Sequence, residues 1–281
     1  MLAGRKVLVA GAGVTGRSVA EALLGMDADV TVTDAAAERL TDLPPGAATV
    51  AGLAEPPAGT DLVVTSPGWP PTSPLLAAAA HAGVEVIGEV ELAWRIGATL
   101  AEPPVWLAVT GTDGKTTTVG MLEAILRAAG LDAVACGNVG LPVIDAVRAH
   151  RVLAVELSSY QLYWQSSLRA AAAAVLNIAP DHLEWHGTMA AYVEAKARVY
   201  TGAGLAVYNA DDPESVRLAA GVPKRVSFTA GEPGPGQYGV ADGWLVHGDL
   251  RLVPAAEVRP AGPHNVANAL AALGVALGAG V

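Results

Sequence analysis

The chain has 281 residues, 52% of them hydrophobic, and a formal net charge of -10. That length and apolar content suit two domains with a core each, while the acidic balance speaks against nucleic-acid or anionic-membrane surfaces and points to small-molecule partners. One cysteine, Cys136, excludes an intramolecular disulfide, no apolar run is long enough to span a bilayer, and the N-terminus enters a strand pattern with no signal peptide, so a cytoplasmic protein is expected.

Lys6 to Ala10 reads as an apolar strand, Gly11-Ala12-Gly13-Val14-Thr15-Gly16 as a complete G-x-G-x-x-G, and Arg17 to Gly25 as the helix that continues it. A second strand, Asp29 to Thr33, ends at Asp34. This is the dinucleotide fingerprint: a tight turn, close backbone approach to a pyrophosphate, and an acidic residue about 20 positions on for a ribose hydroxyl. Alone it says NAD enzyme, but any diphosphate carried on a sugar and nucleoside meets the same backbone N–H groups, so both readings stand. A strand at Asp61 to Thr65 breaks at Ser66-Pro67-Gly68; a helix over Ser73 to Gly83, a strand at Val84 to Ile87 and a helix over Glu89 to Ile96 follow. The alternation predicts a parallel sheet with ligands at the strand C-terminal ends. Ala101-Glu102-Pro103-Pro104 reads as a linker.

Val105 to Thr110 is a buried-strand pattern, Gly111-Thr112-Asp113-Gly114-Lys115-Thr116-Thr117 a phosphate loop, and the amphipathic run to Gly130 a helix. Glycines let backbone N–H groups close around phosphates, the helix N-terminus adds partial positive charge, Lys115 reaches the terminal phosphates and Thr116 would hold magnesium. The strict loop pattern asks for glycine at 109, where this chain has Val109. A structural turn alone does not explain a lysine followed by three threonines, which have poor helix propensity, in a first helical turn.

A strand near Ala133 to Ala135 closes on Cys136-Gly137-Asn138-Val139-Gly140, with Cys136 read as a buried filler. Arg151 to Ser159 is a fully apolar strand with one carboxylate, Glu156, toward its end; it either escapes to solvent or is partnered by the metal at Thr116. After the strand Ala171 to Ile178, His182 and His186 flank Glu184, but the zinc-protease spacing needs glutamate at 183, where Leu183 stands. Thr188 is an N-cap for a helix to about Thr201 whose apolar stripe is Met189, Tyr192, Val193, Val199 and Tyr200, with Glu194 and Arg198 paired outside it. Lys196 lies in that stripe, either snorkelling or desolvated enough to react with carbon dioxide as a neutral amine. A strand at Leu205 to Asn209, the turn Ala210 to Pro213 and a short helix precede a β-hairpin region with turns at Asp242-Gly243 and Gly248-Asp249. A helix from Gly262 to the end carries His264, Asn265 and Asn268 at its start, where simple caps are the plain reading.

These stretches together resemble the Mur ligase family of peptidoglycan synthesis. The likeness rests on the loop at 110 to 118, Gly137-Asn138-Val139-Gly140, Glu156-Leu157-Ser158-Ser159-Tyr160-Gln161-Leu162, Asn177 with Asp181-His182, Ala195 to Tyr200, and His264-Asn265 with Asn268. The shorter Thr-Gly-Thr-x-Gly-Lys-Thr loop is that family's own variant. The Gly11 to Gly16 fingerprint with Ser66 and Gly68 is similar to the version that holds UDP, and favours the D-glutamate-adding branch.

The resemblance implies an α/β protein: a Rossmann-like parallel-sheet domain over 1–100 that binds a UDP substrate, then a P-loop-type ATP-binding domain over 105–281. It implies ATP and magnesium as cofactors, UDP-N-acetylmuramoyl-L-alanine and D-glutamate as substrates, and a monomer acting through an acyl phosphate. By resemblance, Gly111, Thr112, Asp113, Gly114, Lys115, Thr116 and Thr117 with Asn265 and Asn268 bind ATP. Thr116, Glu156, His182 and a carbamylated Lys196 hold metal, and Lys115, His182 and Lys196 are catalytic. Val14, Thr15, Asp34, Ser66, Gly68, Asn138 and His182 meet the UDP-sugar substrate, although Ala35 and Ala36 stand where the family often shows threonine and arginine. A third domain of the family brings the amino acid; this chain is expected to stop where it begins, lacking the D-glutamate site and inactive alone. The alternatives are a Mur ligase with another acceptor, an NAD oxidoreductase built on Gly11 to Gly16, and a non-catalytic nucleotide-binding fragment.

Overall fold

The structure is a computed structural model that describes residues 2–281. Its contacts group into two units, one of the chain up to Leu100 with Pro142–Arg148 and Trp164–Ser167, the other of Ala101–Leu141, Ala149–Tyr163 and Leu168–Val281. The two short excursions into the first unit lie in the stretch that the sequence assigns wholly to the second domain.

In the first unit, β1 (Lys6–Ala10), α1 (Val14–Leu24), β2 (Asp29–Thr33), β3 (Ala48–Thr49), β4 (Leu62–Thr65), α2 (Pro74–His81), β5 (Glu85–Gly88) and α3 (Glu89–Gly97) follow in order. The strands form a parallel sheet in the order β3-β2-β1-β4-β5. Helix α1 begins at Val14 rather than Arg17, because the glycine run already turns into the helix. A Cβ at Gly16 would overlap the Gly11 carbonyl oxygen, so helix and loop approach closely only with glycine there.

In the second unit, β6 (Val105–Thr110), α4 (Lys115–Ala128) and β7 (Ala133–Gly137) come first; the chain then makes the short α5 (Val143–Ala146), grouped with the first unit. It continues with β8 (Val152–Glu156), α6 (Ser159–Tyr163), β9 (Ala172–Val175), α7 (Leu183–His186), α8 (Met189–Ala197), β10 (Ala206–Asn209), α9 (Pro213–Ala219) and β11 (Arg225–Phe228). Strands β12 (Tyr238–Ala241), β13 (Trp244–His247) and β14 (Leu250–Pro254) precede α10 (Pro263–Ala276). The nine-stranded sheet runs β14-β13-β12-β11-β10-β9-β6-β8-β7, parallel from β12 to β7 and antiparallel across β12, β13 and β14, with the expected turns at 242–243 and 248–249. Leu107, Val109, Leu122, Leu126, Phe228 and Leu270 are among its core.

Local chemistry sets the helix ends. Thr188 Oγ1 accepts from Ala191 N at 3.1 Å, the expected N-cap, while Asp212 accepts from Ser215 N with Pro213 at the first helical position. Helix α8 closes in a 3₁₀ turn over Arg198–Tyr200, and α10 gives way to one at Leu277–Ala279 instead of running to the end. Arg198 does not pair with Glu194 as expected: its guanidinium donates to the Tyr163 carbonyl at 2.5 Å and lies 5.2 Å from that ring's centroid.

Two carboxylates of α3 hold the excursions. Glu89, 3% exposed, accepts from Ile144 N at 2.6 Å, and burial pushes its carboxyl up to about 7 against the pull of the Ile144 and Val143 N–H groups. Glu91 accepts from Ser166 N, Ser167 N and Ser167 Oγ at 2.8, 2.9 and 2.6 Å and pairs with Arg95 at 2.8 Å. Burial raises the Glu91 carboxyl too, but these donors outweigh it and hold it below the usual range.

Candidate functional site

In the first unit the glycine loop is braced from below. Asp34 is buried, and both its oxygens are engaged: Oδ2 accepts from Ala12 N at 2.9 Å and Oδ1 from Ala36 N at 3.0 Å. The carboxylate expected to meet the nucleotide also shapes the turn. Arg39, whose Nη1 is 3.9 Å from Asp34 Oδ2, is mostly exposed beyond the end of β2. Ser66 packs on Gly11, where a Cβ would overlap its hydroxyl, and its N–H donates to Ala10 O at 2.8 Å. Val14 is 71% exposed and Gly68 is exposed, so the expected UDP residues line an open rim.

In the second unit β6 lies in the sheet interior and delivers the loop Gly111–Gly114 onto α4. Gly114 is left-handed, with φ 81°, and a Cβ there would overlap the Asn268 amide, so this glycine is required twice over. Lys115 folds onto its own loop, donating to Gly111 O at 3.1 Å and Thr112 O at 2.8 Å. Cross-bracing comes from the segment after β9: Thr112 N donates to Asn177 O at 3.0 Å, Asp113 N to Asn177 Oδ1 at 2.9 Å, and Ala179 N to Thr112 Oγ1 at 2.9 Å.

Glu156 is 3% exposed, which rules out the escape to solvent. Parallel pairing sets it across from Val109 of β6 and Gly137 of β7. Thr116 Oγ1 donates to its Oε2 at 2.7 Å and Asn138 Nδ2 to its Oε1 at 3.0 Å. Asn138 reaches it because Gly137 turns with φ 118°, where a Cβ would overlap the Glu156 carbonyl. The carboxylate is thus buried between two neutral donors, and a hydroxyl, a carboxylate and an amide converge beside a phosphate loop as oxygen-rich donors suited to a hard cation.

Lys196 is 2% exposed, which overturns snorkelling as its default reading. Its Nζ donates to Gly111 O at 2.7 Å, the carbonyl Lys115 also uses. Burial, then the neighbouring Lys115 ammonium, lowers its pKa to about 7. His182 sits in a left-handed turn, φ 53°, with Nδ1 3.3 Å from Asp181 Oδ1 and its ring 4.7 Å from that of Tyr160. Lys196 and His182 each pack against Tyr192: Nζ lies 4.9 Å from its centroid and the His182 ring 6.3 Å away, edge-on. His186 bonds Ser159 Oγ at 2.9 Å, and among the described residues no three His, Cys, Asp or Glu gather as a metal site.

Asn265 and Asn268 are buried and do not cap α10, whose N-cap is Gly262 with no side-chain bond. Asn268 Nδ2 donates to Asn265 Oδ1 at 3.1 Å. Beside them opens a cavity of about 320 Å³ lined by Gly114, Leu176, Asn177, Asn209, Phe228 and His264 among others. Next to two of its lining residues, Leu176 and Asn209, hydroxyls add bonds to the parallel main-chain pairing of β9 and β10. Val175 N donates to Tyr200 Oη (3.1 Å), which donates to Val207 O (2.6 Å); Asn209 N donates to Ser215 Oγ (3.0 Å), which donates to Val175 O (2.7 Å). Cys136 is buried, as expected of a filler.

Sequence reasoning missed Tyr192, Tyr200 and Ser215. Tyr192 and Tyr200 carry the one signal available, a hydroxyl inside an otherwise aliphatic stripe.

Known proteins bear on this arrangement. Residues 5–88 match the Mur ligase MurD-like N-terminal domain and residues 109–276 the Mur ligase middle domain. The chain is 49% identical to the UDP-N-acetylmuramoylalanine–D-glutamate ligase of Streptomyces coelicolor, over 99% of this chain and 64% of that one. It is 51% identical to the ligase of the same name from Thermobifida fusca, over 100% of this chain and 65% of that one. The chain therefore spans just under two thirds of the length of these relatives. Its fold is similar to that of the UDP-N-acetylmuramate-alanine ligase of Thermotoga maritima (TM-score 0.59, 21% identity, 99% of this chain and 65% of that one). The UDP-N-acetylmuramate:L-alanyl-gamma-D-glutamyl-meso-diaminopimelate ligase of Neisseria meningitides gives TM-score 0.61 at 20% identity over 99% of this chain and 95% of that one. No helix among the described residues is long and apolar enough to cross a membrane. The two domain matches fall on the two sheets, the second alone taking more than half of the residues, and the chain belongs to the Mur ligase family.

Proposed function

We propose that this chain acts in an ATP-dependent amide ligase of peptidoglycan precursor synthesis, joining D-glutamate to UDP-N-acetylmuramoyl-L-alanine as a cytoplasmic monomer. The observation that carries the reading is the buried Glu156 carboxylate held by Thr116 and Asn138 beside the Gly111–Lys115 loop. The near-half identity to the two actinobacterial ligases of that name supports the acceptor. Residues 1–100 form the UDP-substrate domain and 105–281 the ATP domain in this reading.

Lys115 and the N–H groups opening α4 bind the ATP phosphates, Asp113 and Thr117 flank them, and Asn265 and Asn268 present amides to adenine in the adjoining cavity. Val14, Thr15, Ser66 and Gly68 bind the uridine diphosphate on the rim that Asp34 shapes, while Asn138 and His182 orient the muramyl end. The γ-phosphoryl group passes to the substrate carboxylate, releasing ADP. The D-glutamate amine attacks the acyl carbon, loses a proton, and the tetrahedral species expels phosphate. Thr116 and Glu156 suit one magnesium ion, and His182 with a carbamate on Lys196 a second; when bound, they neutralise charge on the transferring phosphoryl group. The amine of Lys196, buried and easily deprotonated, fits carbamate formation.

The test is ADP release and product mass by the full-length protein with UDP-N-acetylmuramoyl-L-alanine and candidate amino acids supplied singly. D-glutamate alone should yield amide. Amide with a different amino acid would overturn the acceptor, and no ADP with any would overturn the ligase.

A further inference from the structure

We infer that Tyr192 is a positioning residue that keeps α8, and with it Lys196 and His182, in register with the phosphate loop when nucleotide binds. The inference rests on the ligase reading above for its catalytic meaning but on the geometry for its mechanics.

Tyr192 is fully buried, and its hydroxyl lies 2.9 Å from Thr112 Oγ1. The Thr112 hydroxyl has one donor and two acceptor positions. It accepts from Ala179 N at 2.9 Å and its own hydrogen faces Ala179 O at 3.2 Å, so the third bond is filled by the Tyr192 O–H donating. One loop hydroxyl therefore ties together β6's loop, the segment leading to His182, and α8. The Tyr192 ring also packs against His182 and His186, with centroids at 6.3 and 5.5 Å, and against Lys196 Nζ at 4.9 Å.

Helix α8 meets the loop twice on one face, four residues apart: at Tyr192 on Thr112 and at Lys196 on Gly111 O. The second tie uses a hydrogen of the Lys196 amine. A carbamate there would keep a single N–H, whereas the Tyr192–Thr112 bond is untouched by that chemistry and holds the register in either form. Side chains that fix a reacting group's partners in this way act on catalysis at a distance, since small misplacements are costly.

Tyr192→Phe keeps the ring and removes the donor; Thr112→Val removes its partner. The measurements are calorimetric binding of a non-hydrolysable ATP analogue and the hydrogen exchange of residues 189–197 with and without it. In the wild-type protein the analogue should slow exchange across 189–197. In Tyr192→Phe that slowing should vanish and affinity fall roughly fivefold, the worth of one neutral hydrogen bond. Thr112→Val, which also gives up both bonds to Ala179, should lose the slowing and bind at least as weakly, and the double variant should be no worse than Thr112→Val. Multiplying losses in the double variant, persistent slowing in Tyr192→Phe, or no slowing in the wild type would each overturn the inference. Wild-type slowing in a protein that releases no ADP would overturn the ligase reading and leave this coupling standing.

Discussion

Glu89 is a sharp place to test the electrostatics of this fold, through Glu89→Gln. Burial raises its carboxyl from 4.5 to about 7. At about 1.4 kcal/mol per unit, the ionised group costs the folded protein roughly 3 kcal/mol above pH 7. The sign follows from proton counting: between 4.5 and 7 the folded chain binds more protons than the unfolded one, so this contribution to stability falls as pH rises through that window. Glutamine does not titrate and still offers an oxygen to Ile144 N, but it accepts on one terminal atom where the carboxylate accepts on two, a loss of about 1 kcal/mol. The variant should therefore be about 2 kcal/mol more stable than wild type at pH 8 and about 1 kcal/mol less stable near pH 4.5, the curves crossing between. Carboxylates such as Glu85, held below the usual range by the Arg95 hydrogen bond, titrate alike in both proteins and cancel in the difference. The assay is equilibrium urea unfolding from pH 4.5 to 8, read by pulsed hydrogen exchange over 85–97 and 142–148. Parallel pH profiles for the two proteins would refute the reasoning.

Lys115→Ala should lower ATP turnover by roughly 10²–10³, as loss of a charge-stabilising donor does, while calorimetric affinity for the UDP-sugar substrate is unchanged; equal loss of both would argue against separate sites. Gly137→Ala should destabilise by about 1–3 kcal/mol in urea unfolding through its positive φ alone, more through overlap with the Glu156 carbonyl, and activity should fall as Asn138 is displaced. Bicarbonate depletion should reduce ligation and added bicarbonate restore it; indifference to bicarbonate, with density for a bare Lys196 amine, would refute the carbamate.

Where function depends on local order along the chain, the sequence was readable. The strand, glycine loop and helix from Val105 to Gly130 form as expected, because apolar run, glycines and lysine specify it within a few turns. Thr116 and Glu156 were linked by chemical need, a buried carboxylate wanting a partner, and they meet at 2.7 Å. The NAD reading of Gly11 to Gly16 falls with the family assignment, since that backbone pattern serves any nucleoside diphosphate. Other features were hidden by distance. Glu89 and Glu91 look like ordinary acidic residues of a first helical turn, and only the return of 142–148 and 164–167 to α3 buries them. Tyr192 passes for one more apolar residue until Thr112, 80 positions away, is placed against it. The Glu194–Arg198 pair had the right spacing, but spacing alone yields little energy, and the Tyr163 carbonyl takes the guanidinium.

The hydroxyl bonds across β9 and β10 change what kind of information holds that seam. Main-chain rungs are indifferent to sequence: any residue but proline supplies them. Here the Tyr200 and Ser215 hydroxyls add side-chain bonds to the main-chain pairing, so part of the seam is written in side chains and can be rewritten by single substitutions. Just beyond Val175 and Val207 along the chain come Leu176, Asn177 and Asn209, which line the cavity beside Gly114. Tyr200→Phe would take from Val175 N an acceptor and from Val207 O a donor, while every residue lining the cavity remained unchanged. Two hydroxyls outside a pocket's lining thus help hold the strands that carry it.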